Sequence, residues 1–117
     1  MKRKFLFIFF VGIFLALTSS NVIAIDKRSV LDFQGYCAEK HALYPYCSGI
    51  VEGLFYILEV NSRSDAKIQI CFPKGGVQLG EGVNAFVEWA KANPHHAEKP
   101  GVWGIATALL SEWPCTE

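Results

Sequence analysis

The sequence predicts an all-α fold, a small four-helix domain stapled by disulfides. Three observations predict it. Apolar residues recur at helical spacing in four segments, separated by proline, glycine and asparagine. Alternation of the strand kind is confined to Ile68–Phe72, too brief to make a sheet without a partner. Four cysteines, Cys37, Cys47, Cys71 and Cys115, form an even set behind an N-terminus that reads as an export signal.

That N-terminus comes first in the chain. Residues 1–4 (MKRK) carry three positive charges, and Phe5 to Leu17 is an almost unbroken apolar run. Val22 and Ala24 then supply short side chains at the −3 and −1 positions of a cleavage site. A secretory signal peptide is expected over residues 1–24, too short and wrongly flanked for a membrane anchor. Its removal near Ile25 leaves 93 residues, enough for one core. Such a domain buries only about 60–65% of its unfolded surface, so covalent staples help it.

Removal also changes the charge. The formal balance of the whole chain is zero, but residues 25–117 hold 8 basic and 11 acidic side chains. A net charge of −3 with no basic patch argues against nucleic acid, and against anionic membrane binding once the signal is gone. Hydrophobic residues make up 51% of the chain and charged residues 19%, which excludes a disordered segment.

The first helix is expected over about Val30–Ala38. Ser29 and Asp32 make a capping box, and Val30, Phe33 and Cys37 share a face. The second runs near Tyr46–Val60, with Pro45 suited to its first turn. Ile50, Leu54, Ile57 and Leu58 mark its apolar stripe, and Val51 and Phe55 widen it, so this helix is expected to be central and buried on more than one side. Gly49 and Gly53 lie one turn apart. Each costs about 1 kcal/mol in a helix interior, an expense that a close helix–helix approach would offset.

Asn61–Lys67 is a polar connection, and Pro73-Lys74-Gly75-Gly76 a turn. The third helix spans about Gln78–Ala92, with Leu79, Val83, Phe86, Val87 and Ala90 in register, and Asn93-Pro94 ends it. The fourth runs from Pro100 to Trp113, with Val102, Ile105, Ala106, Leu109 and Trp113 on one face. A short link makes these two helices antiparallel neighbours. That arrangement favours Cys71–Cys115, with Cys37–Cys47 as the second bridge. The crossed set, Cys37–Cys115 with Cys47–Cys71, is also compatible with the sequence.

No catalytic constellation emerges. H-E-x-x-H, G-x-S-x-G and phosphate-binding glycine motifs do not occur. Cysteines held in disulfides offer no nucleophile. His95-His96 with Glu98 lacks a third metal ligand, and His41 reads as a loop residue, so no metal and no cofactor are expected. Glu52 and Glu59 project from one side of the second helix about 10 Å apart, wide for acid–base work and better read as a solvated face. Trp89, Trp103 and Trp113 fit core stripes. Tyr36, Tyr44 and Tyr46 cluster at the first disulfide, either covering it or offering a contact surface.

An ordered set of motifs then brings in a resemblance. Cys47, Gly49 and Gly53 fit a Cys-x-Gly-x-x-x-Gly helix, and Cys71, Phe72 and Pro73 a Cys-apolar-Pro element. Asn93 and Pro94 end an amphipathic helix. Ala108, Leu109, Trp113, Pro114 and Cys115 form an Ala-Leu and aromatic-Pro-Cys close. In this order the motifs resemble the Tai family of type VI amidase immunity proteins, the Rap/Tai-like group, over nearly all of residues 25–117. Two departures stand out. Ile50 follows Gly49 where an aromatic is usual, and Gly80 and Gly82 imply a looser first turn in the third helix.

The resemblance implies a non-enzymatic, periplasmic or secreted helical protein. Its partner would be a cell-wall hydrolase, an amidase toxin delivered by type VI secretion, which it binds and blocks; some relatives act as homodimers. The loops expected to meet the partner carry Asn61, Arg63, Asp65, Lys67, Lys74, His95 and His96. The alternative class is a periplasmic stress chaperone of the HdeA-like type, which calls for more charge than this chain has.

Overall fold

The computed structural model describes residues 27–65 and 67–116, and the expected signal peptide lies outside them. Four α-helices make up the fold among the described residues: α1 (Val30–Tyr36), α2 (Tyr44–Ser62), α3 (Leu79–Ala92) and α4 (Gly101–Glu112). A 3-10 turn, Pro94–His96, follows α3. Beyond the helices, the described residues hold two isolated antiparallel bridges, Ser29 with Pro100 and Ile70 with Pro114. The alternating stretch 68–72 therefore contributes one bridge rather than a strand.

Local chemistry sets the helix ends. The backbone N–H of Ser29 donates to the Asp32 carboxylate at 2.8 Å, and the Asp32 N–H donates to Ser29 Oγ at 3.2 Å. This capping box satisfies donors that the first turn leaves open. α1 stops at Tyr36, two residues earlier than its pattern suggests, with Cys37 as its C-cap. α2 begins with Pro45 in its first turn. At the start of α3, the Gln78 N–H donates to Glu81 Oε2 at 2.7 Å.

The core gathers one face from each helix. Phe33, Val30, Val51, Cys47, Phe86, Ile105 and Leu109 are fully buried, together with Ile70 from the α2–α3 connection. No polar or charged residue among those described is buried. α3 packs against α4, α1 lies on both, and α2 packs against α3. The N-terminal edge is laced by backbone bonds: Val30 N–H donates to Lys99 O at 2.8 Å, and Gly101 N–H to Arg28 O at 2.8 Å.

The disulfides are Cys37–Cys47 and Cys71–Cys115, with sequence separations of 10 and 44. This is the uncrossed pairing. In the chain-entropy picture they contribute roughly 3 and 4 kcal/mol.

Two expectations for the second helix are overturned. α2 is buried on one side only. Its inner sector holds Cys47, Val51 and Leu58, while Ile57 points outward and is 59% exposed. Tyr56 and Val60 are likewise 63% and 66% exposed. The reason is tertiary. The Cys47 bridge and the packing of Val51 fix which sector of an all-round apolar helix turns inward. Nor do Gly49 and Gly53 meet a neighbouring helix, since a Cβ at either would find open space. The close approach occurs instead at Gly82 on α3, where a Cβ would run into the Phe55 ring and Val51. Gly82 is thus a packing requirement within a regular helix, and not the mark of a loose first turn. Trp103 also departs from its expected core place and is 42% exposed.

Candidate functional site

A groove of about 650 Å³ lies between the C-terminal half of α2 and the chain from Ile70 to Leu79. One wall is helical. At 3.6 residues per turn, Glu52, Tyr56, Glu59 and Arg63 fall on the flank of α2 that faces this groove. Arg63 Nη2 donates to Glu59 Oε1 at 2.5 Å. Both side chains are solvated, so the pair adds little stability.

The other wall is a loop held by covalent and aromatic contacts. Cys71 is tied to Cys115, its N–H donates to Trp113 O at 3.1 Å, and Ile70 bridges Pro114. Phe55, Phe72 and Trp113 form a three-ring contact behind it, with centroids 5.2, 5.6 and 5.8 Å apart and edge-on geometry. The turn closes through Gly76 N–H donating to Pro73 O at 3.0 Å. Gly75 and Gly76 take φ of 103° and 81°, a region that suits glycine.

The structure sorts the residues expected to meet a partner into two places. Arg63 lines the groove, and Lys74 sits in the turn whose Pro73 and Gly76 line its far side. Asn61 is half-buried at the end of α2, and Asp65 and Lys67 follow in the exposed connection. Arg63 and the Lys74 turn thus flank the groove, and Asn61, Asp65 and Lys67 are neighbours of Arg63 along the chain. His95 and His96 do not line the groove. The His96 ring stacks on Trp89 at 5.7 Å and meets the edge of Trp103 at 5.2 Å, with His95 4.0 Å away. His96 Nδ1 is enclosed without a hydrogen-bond partner. Burial, then the charges of His95 and Lys99, hold the His96 pKa below its ordinary 6.5.

The sequence pattern passed over several groove residues. Glu52 and Glu59 read as a solvated face, yet both line the groove, and Glu59 is half-buried. Phe55 and Phe72 carried no signal beyond apolarity. The Cys-apolar-Pro element at residues 71–73 was the available pointer, because it fixes the loop wall. Of the tyrosines at the first disulfide, Tyr36 and Tyr46 pack on Phe33 at 5.7 Å, and the Arg28 guanidinium lies 4.6 Å over the Tyr46 ring. His41 is a loop residue whose Nδ1 accepts from the Leu43 N–H at 3.0 Å.

No group of three or more metal-ligating side chains occurs among the described residues. The Cys71–Cys115 bridge fixes one wall of the groove covalently. A sequence model of the Rap1a immunity proteins matches residues 29–115, and the chain belongs to that family. It is therefore an immunity protein, and the partner implied is a toxin protein. Searches of curated proteins and of solved structures gave no match.

Proposed function

We propose that this immunity protein acts in the periplasm, or after secretion, by binding and occluding a cell-wall amidase or related peptidoglycan hydrolase delivered through type VI secretion. Family membership over residues 29–115 carries the immunity reading. The finer amidase reading is supported by the ordered Tai-like motifs from Cys47 to Cys115. Two disulfides that leave no free thiol, behind an export-type N-terminus, support an oxidising compartment.

The mechanism is steric. The groove edge, with Arg63, Asp65, Lys67 and Lys74, engages the toxin near its substrate cleft and keeps the cell wall out. The disulfide-tied wall arrives already ordered, so little conformational entropy is lost on binding. Proteins of this kind neutralise by contact, without chemistry of their own.

The test is a pull-down from envelope and secreted fractions with the oxidised protein, followed by mass spectrometry and a peptidoglycan-cleavage assay. One stoichiometric hydrolase, inhibited on addition of the protein, is the expected result. Recovery of many unrelated proteins, increasing as pH falls, would replace this reading with a stress chaperone. A neighbouring reading frame encoding a Cys/His amidase would point to the cognate toxin.

A further inference from the structure

The groove beside α2 is charged at both ends and apolar between them. Its helical wall carries Glu52, Tyr56, Glu59 and Arg63 in one narrow sector. Glu52 stands near the middle of α2 and Arg63 is its C-cap. About 16 Å of helix axis separates the two. Between them Phe55 meets Phe72 of the opposite wall, with ring centroids 5.2 Å apart.

The two ends differ in what they already hold. One guanidinium nitrogen of Arg63 donates to Glu59, and its other N–H groups remain available as donors. Glu52 is exposed, and no ion pair among the described residues engages it. Tyr56 follows Glu52 by one turn on the same wall and is 63% exposed. A carboxylate beside an open aromatic ring suits a guanidinium or ammonium group, which bonds to the oxygen and lies over the ring. The chain makes the ring half of that contact internally, where Arg28 lies 4.6 Å over Tyr46.

On the immunity reading above, we infer that the groove takes one extended segment of the toxin, basic at the Glu52 end, apolar at its centre and acidic at the Arg63 end. Charge complementarity sets the order. The basic side chain bonds to Glu52 and stacks on Tyr56, and the acidic one accepts from Arg63. At about 3.3 Å per residue, five extended residues cover the distance between the two charges. The loop wall is tied through Cys71 and Cys115, so the segment meets a surface already ordered.

NMR titration of the isotope-labelled, oxidised protein with capped peptides tests this without the toxin. The probe is acetyl-Arg-Ala-Leu-Ala-Asp-amide, and the control is acetyl-Asp-Ala-Leu-Ala-Asp-amide. With the probe, shifts confined to residues 52–63 and 70–79 are expected, at a Kd on the order of 1 mM. The control should bind about tenfold more weakly. Glu52→Arg should weaken the probe by about tenfold and Tyr56→Ala by about fivefold. Both side chains are exposed, and unchanged spectra away from the groove check that the variants keep the fold. No shifts up to about 10 mM, shifts outside the groove, or equal binding of the control would overturn the inference. A toxin blocked equally well by the native protein and by Glu52→Arg would also sink it, and would leave the immunity reading standing. Probe binding in the groove with no hydrolase recovered would strike the hydrolase reading and uphold the ligand chemistry of the groove.

Discussion

The Phe55 ring of α2 lies against the backbone of Gly82 on α3, in the space that a β-carbon would need. Phe55 cannot yield easily, because Phe72 and Trp113 pack on it from behind. Gly82→Ala gains about 1 kcal/mol of helix propensity but should lose about 1–3 kcal/mol to overpacking. A net fall in stability by urea titration is expected. Gly53→Ala, where the space is open, should raise stability by about 1 kcal/mol.

The Cys71–Cys115 bridge closes a loop of 44 residues and fixes the groove wall. Replacing both cysteines by alanine should cost up to about 4 kcal/mol, against about 3 for Cys37 and Cys47. Calorimetry under non-reducing conditions checks the order. The larger loss should also bring reduced toxin affinity, because the 70–77 wall is then free to move.

Asp32 closes the capping box of α1 through bonds from Ser29 N–H at 2.8 Å and Ser29 Oγ at 2.9 Å. Asp32→Ala should cost about 1 kcal/mol, measurable as a shift in the urea midpoint. The change should leave toxin binding alone, since α1 lies away from the groove.

His96 gives a pH dependence. Its folded pKa lies below the unfolded 6.5, so the unfolded chain takes up a proton first as pH falls. The stability that His96 contributes is therefore fully present above pH 6.5. It is lost as the pH drops from 6.5 through the lower folded value. Urea midpoints from pH 8 down to pH 5 should fall more steeply for the native protein than for His96→Asn. An identical slope would remove His96 as the cause.

The groove edge and the histidine edge make separate predictions for the toxin. Arg63→Glu with Lys74→Glu should weaken binding by about tenfold, near 1.4 kcal/mol. His95→Ala should leave it unchanged, because His95 sits on the Trp89 and Trp103 side. Calorimetric titration with the cognate toxin separates the two edges.

Helix positions were legible from periodicity; placing Cys71 before α3 and Cys115 after α4 favoured the observed disulfide pairing but left the crossed set open until the fold decided between them. The facing of α2 was not legible. Ile57 and Val51 are both apolar and both sit in helical register with other apolar residues. Only the bridge at Cys47 and the close approach at Gly82 decide which of them turns inward. The same limit hid the groove. Glu52 and Glu59 are ordinary carboxylates on a helix flank until the tied loop comes up beside them. Arg63 and Lys74 could be picked out as loop charges, but not their placement about one groove. The distance of His95 and His96 from that groove is likewise a property of the fold alone.

The longer disulfide also makes α3 and α4 a single covalent ring. The link between them, residues 93–100, is the partly exposed joint of that ring. A protease that cuts there leaves both helices attached through Cys71 and Cys115, so the nicked protein keeps its groove wall. On an electrophoresis gel the cut chain should run as one band until a reductant separates it into two. The domain can thus survive a break in its own backbone.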